Sequence, residues 1–578
     1  MNHRTGLAAL ALPALTLAAL AAAPAAAQAP RTEGPLTHAP RPTAAPIAAE
    51  DLRTHVYVLA ADSMMGRESG TRFNVMGTDY IAAQARRIGL RPAGENGTFF
   101  QAIPLMTSGV EEGASLSAGG TALARGTDFI PLPSYGSILR FADRMRLDGV
   151  PVVYGGRVGA PTGMISPEQA RGKLVVFAAP LGPDGRPASQ FYAAGTFERY
   201  ADAAGVAFAT LDYTSAGLIG FFGATRTEMA EAEPAAAARR DPAGLLLSVA
   251  AAERLLGAPL STLQVGAAGR TASGGFTFFS RPAAFPARNV VAVLPGSDPA
   301  LRGEYVALGS HNDHVAPAGE AVDHDSLLVF NRLLRPEGAD GEPEAWTDEA
   351  RAAFRAELAR LRARRGVRLD SIFNGADDDA SGSAGMLEIA QYLASRPTRP
   401  RRSVLFVWHT AEEMGMYGSQ YFTDHPTVPR DSIVAQLNMD MIGRGGAGDR
   451  ENSGPAYLEL VGSRRLSTQL GDLIEEVNRT GGHGFTFDYT TDADNHPQNI
   501  YCRSDHWNYA RYGIPVTFFT TGGHSDYHQV TDEPQYIEYD KFARVSQLIA
   551  AVAESIANRD ARLVVDKPVV GPNGECRQ

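Results

Sequence analysis

Three aspartates in a row, Asp377, Asp378 and Asp379, stand among small residues in Phe373–Gly382, with Asn374-Gly375 before them and Ser381-Gly382 after. Adjacent carboxylates repel one another, so a fold that confines three of them calls for a cation. From Ser381 the pattern turns helical, with Met386, Ile389, Ala390 and Leu393 on one face. The acidic run therefore opens a packed helix and is not a free solvated loop. Whether it holds a metal depends on ligands from elsewhere in the chain.

Those ligands come after strands. Glu304–Leu308 leads into Gly309-Ser310-His311-Asn312-Asp313-His314, and Ser403–Trp408 into His409-Thr410-Ala411-Glu412-Glu413. Ala435–Met441 contains Asn438-Met439-Asp440, and Ile514–Phe519 is followed by His524-Ser525-Asp526-Tyr527-His528. A lone His or acid after a strand is ordinarily a hydrogen-bonded structural group. Here several fragments obey one rule: in open α/β sheets, sites lie beyond the carboxyl ends of the strands. With only Cys502 and Cys576 in the chain, no thiolate zinc cage can form, so a metal would be held by His and carboxylates.

The positioning elements read as an α/β fold, a mostly parallel twisted sheet with helices on both faces. Helices are expected at Glu50–Ala60 and Asn74–Ile88, and strands at Phe99–Leu105 and Asn289–Leu294. The catalytic part is expected to span 50–125 and 276–566, followed by a tail at 567–578. Between its halves, 126–275 reads as an inserted β-rich domain with no cluster of His and acid. Within that insert, Arg199–Ala204 reads as a helix before a strand, and Arg226–Arg240 as an exposed helix or linker. A second insertion, 315–370, carries Asp323-His324-Asp325 and a helix at Thr347–Arg364. It reads as a hydrogen-bonded loop or as a lid.

The 578 residues carry 53 basic and 64 acidic side chains, a net charge of −11. No dense Lys/Arg block speaks for nucleic-acid binding. Residues 1–27 read as a secretory leader: Arg4, an apolar run Leu7–Ala23, and small residues before a cut after Ala27. A Pro/Ala/Thr-rich lead, 28–49, comes next and reads as flexible. The expected location is periplasmic or extracellular, where Cys502 and Cys576 are free to pair.

Taken together, these motifs resemble the co-catalytic di-zinc aminopeptidases, the bacterial leucyl aminopeptidase clan of peptidase family M28. The resemblance covers 50–105 and 288–557; the insert resembles a protease-associated domain on one loose segment. It implies two zinc ions per chain, one on His311, Asp378 and Asp440, the other on Asp378, Glu413 and His528. Asp378 is the bridging carboxylate because it stands three residues before Ser381-Gly382. By the same resemblance Glu412 is the general base, Tyr527 stabilises the oxyanion, and Asp313 orients the His311 imidazole. Ser504-Asp505-His506 matches a family segment near the site, and His314, His409 and His524 are read as supporting groups. The implied reaction removes N-terminal residues from peptide substrates. A carboxypeptidase, a glutaminyl cyclase or a non-catalytic receptor on the same fold are the alternatives.

Overall fold

The computed structural model describes residues 33–134, 140–159, 163–183, 185–188, 196–230, 241–335, 342–445 and 453–578. The expected leader lies outside them. Residues 33–48 of the lead are irregular but tied down: Gly34 N donates to Gln535 O (2.8 Å) and Thr43 Oγ1 to Gln391 Oε1 (2.9 Å), and Ile47 is buried.

Unbroken apolar runs make the central strands. Ser403–His409 is buried along its whole length, as a strand covered on both faces must be. Its alternate residues enter two different cores. Val404, Phe406 and Trp408 pack with helices Ala49–Leu59, Ala380–Ser395 and Tyr539–Ala557. Leu405 and Val407 face Phe422, Trp507 and Tyr509 on the opposite side. Four strands run parallel in the order Ser403–His409, Tyr305–His311, Ile433–Met439 and Val516–Thr520. Antiparallel strands close both flanks, Ala287–Leu294 on one and Tyr457–Val461 on the other, in a sheet of nine strands. The third expected strand is shifted: it ends at Met439, so Asp440 stands just past the strand instead of lying inside it.

A second sheet of ten strands holds the insert. It starts earlier than the sequence suggests. The run read as one strand, Phe99–Leu105, is two: Phe100–Ile103 pairs with Ala287–Leu294, and Leu105–Val110 pairs with Ala268–Pro282 in the other sheet. Pro104 stands between them; without an N–H it cannot extend the first ladder. Ser115–Ala118 and Thr121–Leu123 also belong to the second sheet. The chain enters the insert on Leu105–Val110 and leaves it on Ala268–Pro282, and these strands are adjacent, with Met106 opposite Pro282. Arg226–Met229 is a strand on Leu105–Val110, not a helix, and 231–240 lies outside the described residues. The helix expected at Arg199–Ala204 is only a single turn, Glu198–Tyr200.

The 315–370 insertion folds as two helices, His324–Leu334 and Asp348–Arg365. Thr347 caps the second, accepting from Ala350 N at 3.1 Å, and its acidic first turn and arginine-rich last turn suit the helix dipole.

Candidate metal centre

The heads of the parallel strands meet the Asp377–Asp379 loop. His311 ends its strand, and Asp440 comes directly after Met439. Asp379 caps helix Ala380–Ser395, accepting from Gly382 N at 2.8 Å. Gly382 is required there: a Cβ would come within 2.4 Å of Met439 O. Three non-glycine residues with positive φ lie at this rim, Ala411 (54°), Met441 (60°) and His528 (52°). Such backbone concentrates where surrounding structure fixes a functional geometry.

The three aspartates point in three directions. Asp377 accepts from Gly443 N (2.7 Å) and contacts His524 Nε2 (3.1 Å). Asp379 accepts from His311 N (3.1 Å) and Met441 N (3.2 Å). Asp378 is left for the cavity, and its peptide bond to Asp379 is cis. Its Oδ1 lies 3.0 Å from His311 Nε2, which is 3.6 Å from Asp440 Oδ1. Its Oδ2 lies 3.1 Å from His528 Nε2, which is 3.0 Å from Glu413 Oε2. These are spacings of atoms that share one ion at about 2.0–2.2 Å each. The imidazole atoms themselves, His311 Nε2 and His528 Nε2, are buried without an aligned hydrogen bond. Two N/O donor sets joined by one carboxylate fit a pair of zinc ions.

Electrostatics reflect the enclosure. Burial disfavours a charged Asp378, but His311, His528 and His314 hold its carboxyl well below the usual range. Burial also opposes a charged His528, yet Asp378 and Glu413 push it up to about 11. Glu412 goes the other way: burial, with Asp440, Glu413 and Asp505 near it, raises it well above the usual carboxylate range. Burial and the Asp378 and Glu413 carboxylates raise Tyr527, whose ring stacks on His528 at 3.9 Å between centroids. Asp378, Glu412, Glu413, Asp440 and Tyr527 all line one cavity of about 380 Å³.

Residues 289–553 match the family model described as peptidase family M28. They form a peptidase family M28 domain. Among curated relatives, leupeptin-inactivating enzyme 1 of Streptomyces exfoliatus is 30% identical over 173 residues, 29% of this chain and 34% of that protein. Leucine aminopeptidase 1 of Aspergillus oryzae is 27% identical over 195 residues, 32% of this chain and 47% of that protein. The chain thus spans between a third and a half of these two relatives. Of solved structures, the aminopeptidase of Aneurinibacillus sp. strain AM-1 is 16% identical with a TM-score of 0.43, covering 90% of this chain and 96% of that one.

Within the M28 domain, the residues singled out from sequence gather around Asp378, with two differences. Asp313 does not reach His311 through its carboxylate, which is 3.8 Å from Nδ1; the Asp313 main-chain oxygen, at 3.1 Å, takes that contact. The carboxylate instead accepts from Glu412 N at 3.2 Å, which ties the two motifs together. The second difference is the 315–370 insertion. None of its described residues lines the cavity. His324 bonds Asp325 (3.0 Å) and Glu533 (2.8 Å), Arg365 bonds Asp325 (2.7 Å), and Arg368 pairs with Glu533. This network fastens the described part of the insertion through Glu533, away from the lining of the cavity.

Among the other histidines, His409, opposite His311 on the neighbouring strand, lies 3.1 Å from Asp505 and bonds Tyr509 (2.9 Å). His314 is closer to the chemistry than its motif suggests. Its Nδ1 is 2.6 Å from Glu413 Oε1 and 3.6 Å from Asp378 Oδ2, and it groups with Asp378, Glu413 and His528. Its spacing in His311-x-x-His314 is the signal that could have found it. Two of the remaining contacts, from Arg67 and Asp532, leave no such signal, whereas Ser504 stands in the Ser504-Asp505-His506 segment singled out from sequence. Arg67, fully buried, donates to the carbonyls of Leu59 (2.7 Å), Asn374 (2.8 Å) and Gly375 (3.0 Å). Asp532 accepts from Asp377 N (3.0 Å) and Asp378 N (3.1 Å). Ser504 Oγ donates to Asp440 Oδ2 at 2.7 Å.

Proposed function

We propose that this chain is a secreted or periplasmic zinc aminopeptidase that hydrolyses the first peptide bond of peptide substrates. One observation carries the reading: two donor sets share Asp378 and open on the cavity that Glu412 and Tyr527 also line. One zinc ion is assigned to His311, Asp378 and Asp440, the other to Asp378, Glu413 and His528. When bound, such a pair polarises a carbonyl oxygen and makes water acidic near neutral pH. Glu412 is assigned as the base. Its raised proton affinity suits a group that takes a proton from the attacking water and returns it to the leaving amine. Tyr527, held in its protonated form, donates its hydroxyl to the developing oxyanion. Asp313 and Ser504 keep Glu412 and Asp440 in place by accepting from the Glu412 main chain and donating to the Asp440 carboxylate.

The leader reading of 1–27 and the Cys502–Cys576 disulfide support export to an oxidising compartment. Among the described residues no helix is long and apolar enough to cross a membrane. The test is hydrolysis of leucine and alanine p-nitroanilides against the same substrates with acetylated amines, with zinc counted by mass spectrometry. Turnover of free-amine substrates only, lost on chelation and regained with zinc, is the expected result. Turnover of blocked peptides from a free carboxylate end would make the protein a carboxypeptidase. Ring closure of N-terminal glutamine would make it a cyclase, and a zinc-loaded but inert protein a receptor.

A further inference from the structure

One wall of the cavity is not built by the sheet. Thr490, Thr491, Ile500 and Arg503 line it, from a stretch whose helical content is two single turns, Thr490–Asp492 and Ile500–Cys502. Between the turns, Asn495 and Asn499 have positive φ, 61° and 52°. Its own main-chain bonds are short-range turns, from Asp492 N to Tyr489 O through Arg503 N to Ile500 O, so the path between the turns depends also on its neighbours.

Glu459 and Arg465 hold its first turn, through Thr491 Oγ1 (2.9 Å) and Asp492 Oδ1 (2.6 Å), and further ties come from 566–578. Cys576 is disulfide-bonded to Cys502 across 74 residues of sequence. Gln578 Oε1 accepts from Tyr501 N at 2.8 Å, and its Nε2 donates to Thr491 O (2.9 Å) and Ala493 O (3.1 Å). Asn495 N donates to Gln578 O at 3.2 Å. The segment is itself moored, since Asp566 accepts from Thr468 N (2.9 Å) and Pro572 O from Arg511 (3.0 Å). The wall also touches the chemistry: Arg503, next to Cys502, donates to the Tyr527 hydroxyl at 3.3 Å.

We propose that 566–578 is a positioning element for the substrate pocket. Through the disulfide and the Gln578 carboxamide it sets the shape of the wall that meets the substrate's first side chain. It touches no reacting atom and carries none of the metal donors. The inference rests on the aminopeptidase reading and names what would govern selectivity in it.

The experiment compares wild type, Cys502→Ser/Cys576→Ser and Gln578→Ala. Zinc content, KM and kcat are read on leucine and alanine p-nitroanilides, with inhibition constants for free leucine and free alanine. Loss of the three Gln578 side-chain bonds predicts a KM for the leucine substrate raised about tenfold in Gln578→Ala, and loss of the disulfide moves KM in the same direction in the double serine variant. The change in kcat is smaller, zinc stays at the wild-type count, and the leucine-to-alanine preference narrows about fivefold. The inhibition constant for free leucine rises with KM. A merely stabilising tail would lower the melting temperature and leave KM and the preference unchanged; that result overturns the proposal. If the double serine variant does not fold, Gln578→Ala, with its disulfide intact, decides alone. Wild-type protein inert on every nitroanilide would sink the aminopeptidase reading; active wild type with indifferent variants would sink only this inference.

Discussion

Replacing Glu412 by Gln separates the base from the metal donors beside it. The substitution keeps the side-chain volume and removes only the ability to hold a proton. The main-chain contact of Glu412 N with Asp313 Oδ1 survives it, and none of the donor-to-donor contacts of 3.0–3.6 Å around Asp378 involves Glu412. Zinc is therefore retained. A positioned general base contributes about 10²–10⁴ in rate. At about 1.36 kcal/mol per decade, that is a barrier raised by roughly 3–5 kcal/mol. The assay is kcat on leucine p-nitroanilide beside a zinc count on the same sample. The expected outcome is two zinc ions per chain, KM within a few-fold of wild type and kcat down by about 10²–10⁴. A variant within threefold of wild-type kcat would refute the assignment of the base. A variant that loses zinc would place Glu412 among the donors and undo the division of labour with Glu413.

Three further substitutions probe the surroundings of the site. His314→Ala removes the partner of Glu413 Oε1 and should weaken the zinc assigned to Asp378, Glu413 and His528 by about 10–100-fold, read as zinc remaining after dialysis against graded chelator; an unchanged curve would make His314 a packing residue. Arg67→Ala removes the donor to four main-chain carbonyls, of which Gly375 O keeps its bond from Ala380 N, and should cost about 3 kcal/mol or more in a denaturant titration; a loss under 1 kcal/mol would mean that water replaces the guanidinium. In zinc-free protein, His528 titrates near 11, against about 6.5 unfolded. Its contribution to stability is complete below about 6.5 and is lost as pH climbs toward 11. Melting temperature of the stripped protein should therefore fall across that range more steeply in wild type than in His528→Gln, and parallel slopes would contradict the pairing.

Much of the site is legible in the chain because the chemistry obeys topology. The strands announce themselves as apolar runs, and the candidate donors sit at or soon after their ends: His311 closes one, Glu412-Glu413 and Asp440 come shortly after two more, and His528 stands in the loop after a fourth. Asp378 can be chosen from its two neighbours only through resemblance, since three adjacent carboxylates look alike until backbone N–H groups claim two of them. The hidden part is non-local. Arg67 and Asp532 act on main-chain atoms hundreds of residues away or across the sheet, and main-chain partners leave no side-chain pattern. The edge of the insert escapes a linear reading for a related reason, because a single proline divides a run of uniform character between two sheets.

The paired strands through which the insert enters and leaves have a practical corollary. Because Met106 and Pro282 are opposite one another, the chain could be joined there by a short hairpin turn with little disturbance to the strands of the M28 domain. The candidate donors around Asp378 would stay on their own framework, which makes the second sheet a cassette that can be removed while the proposed site is left alone.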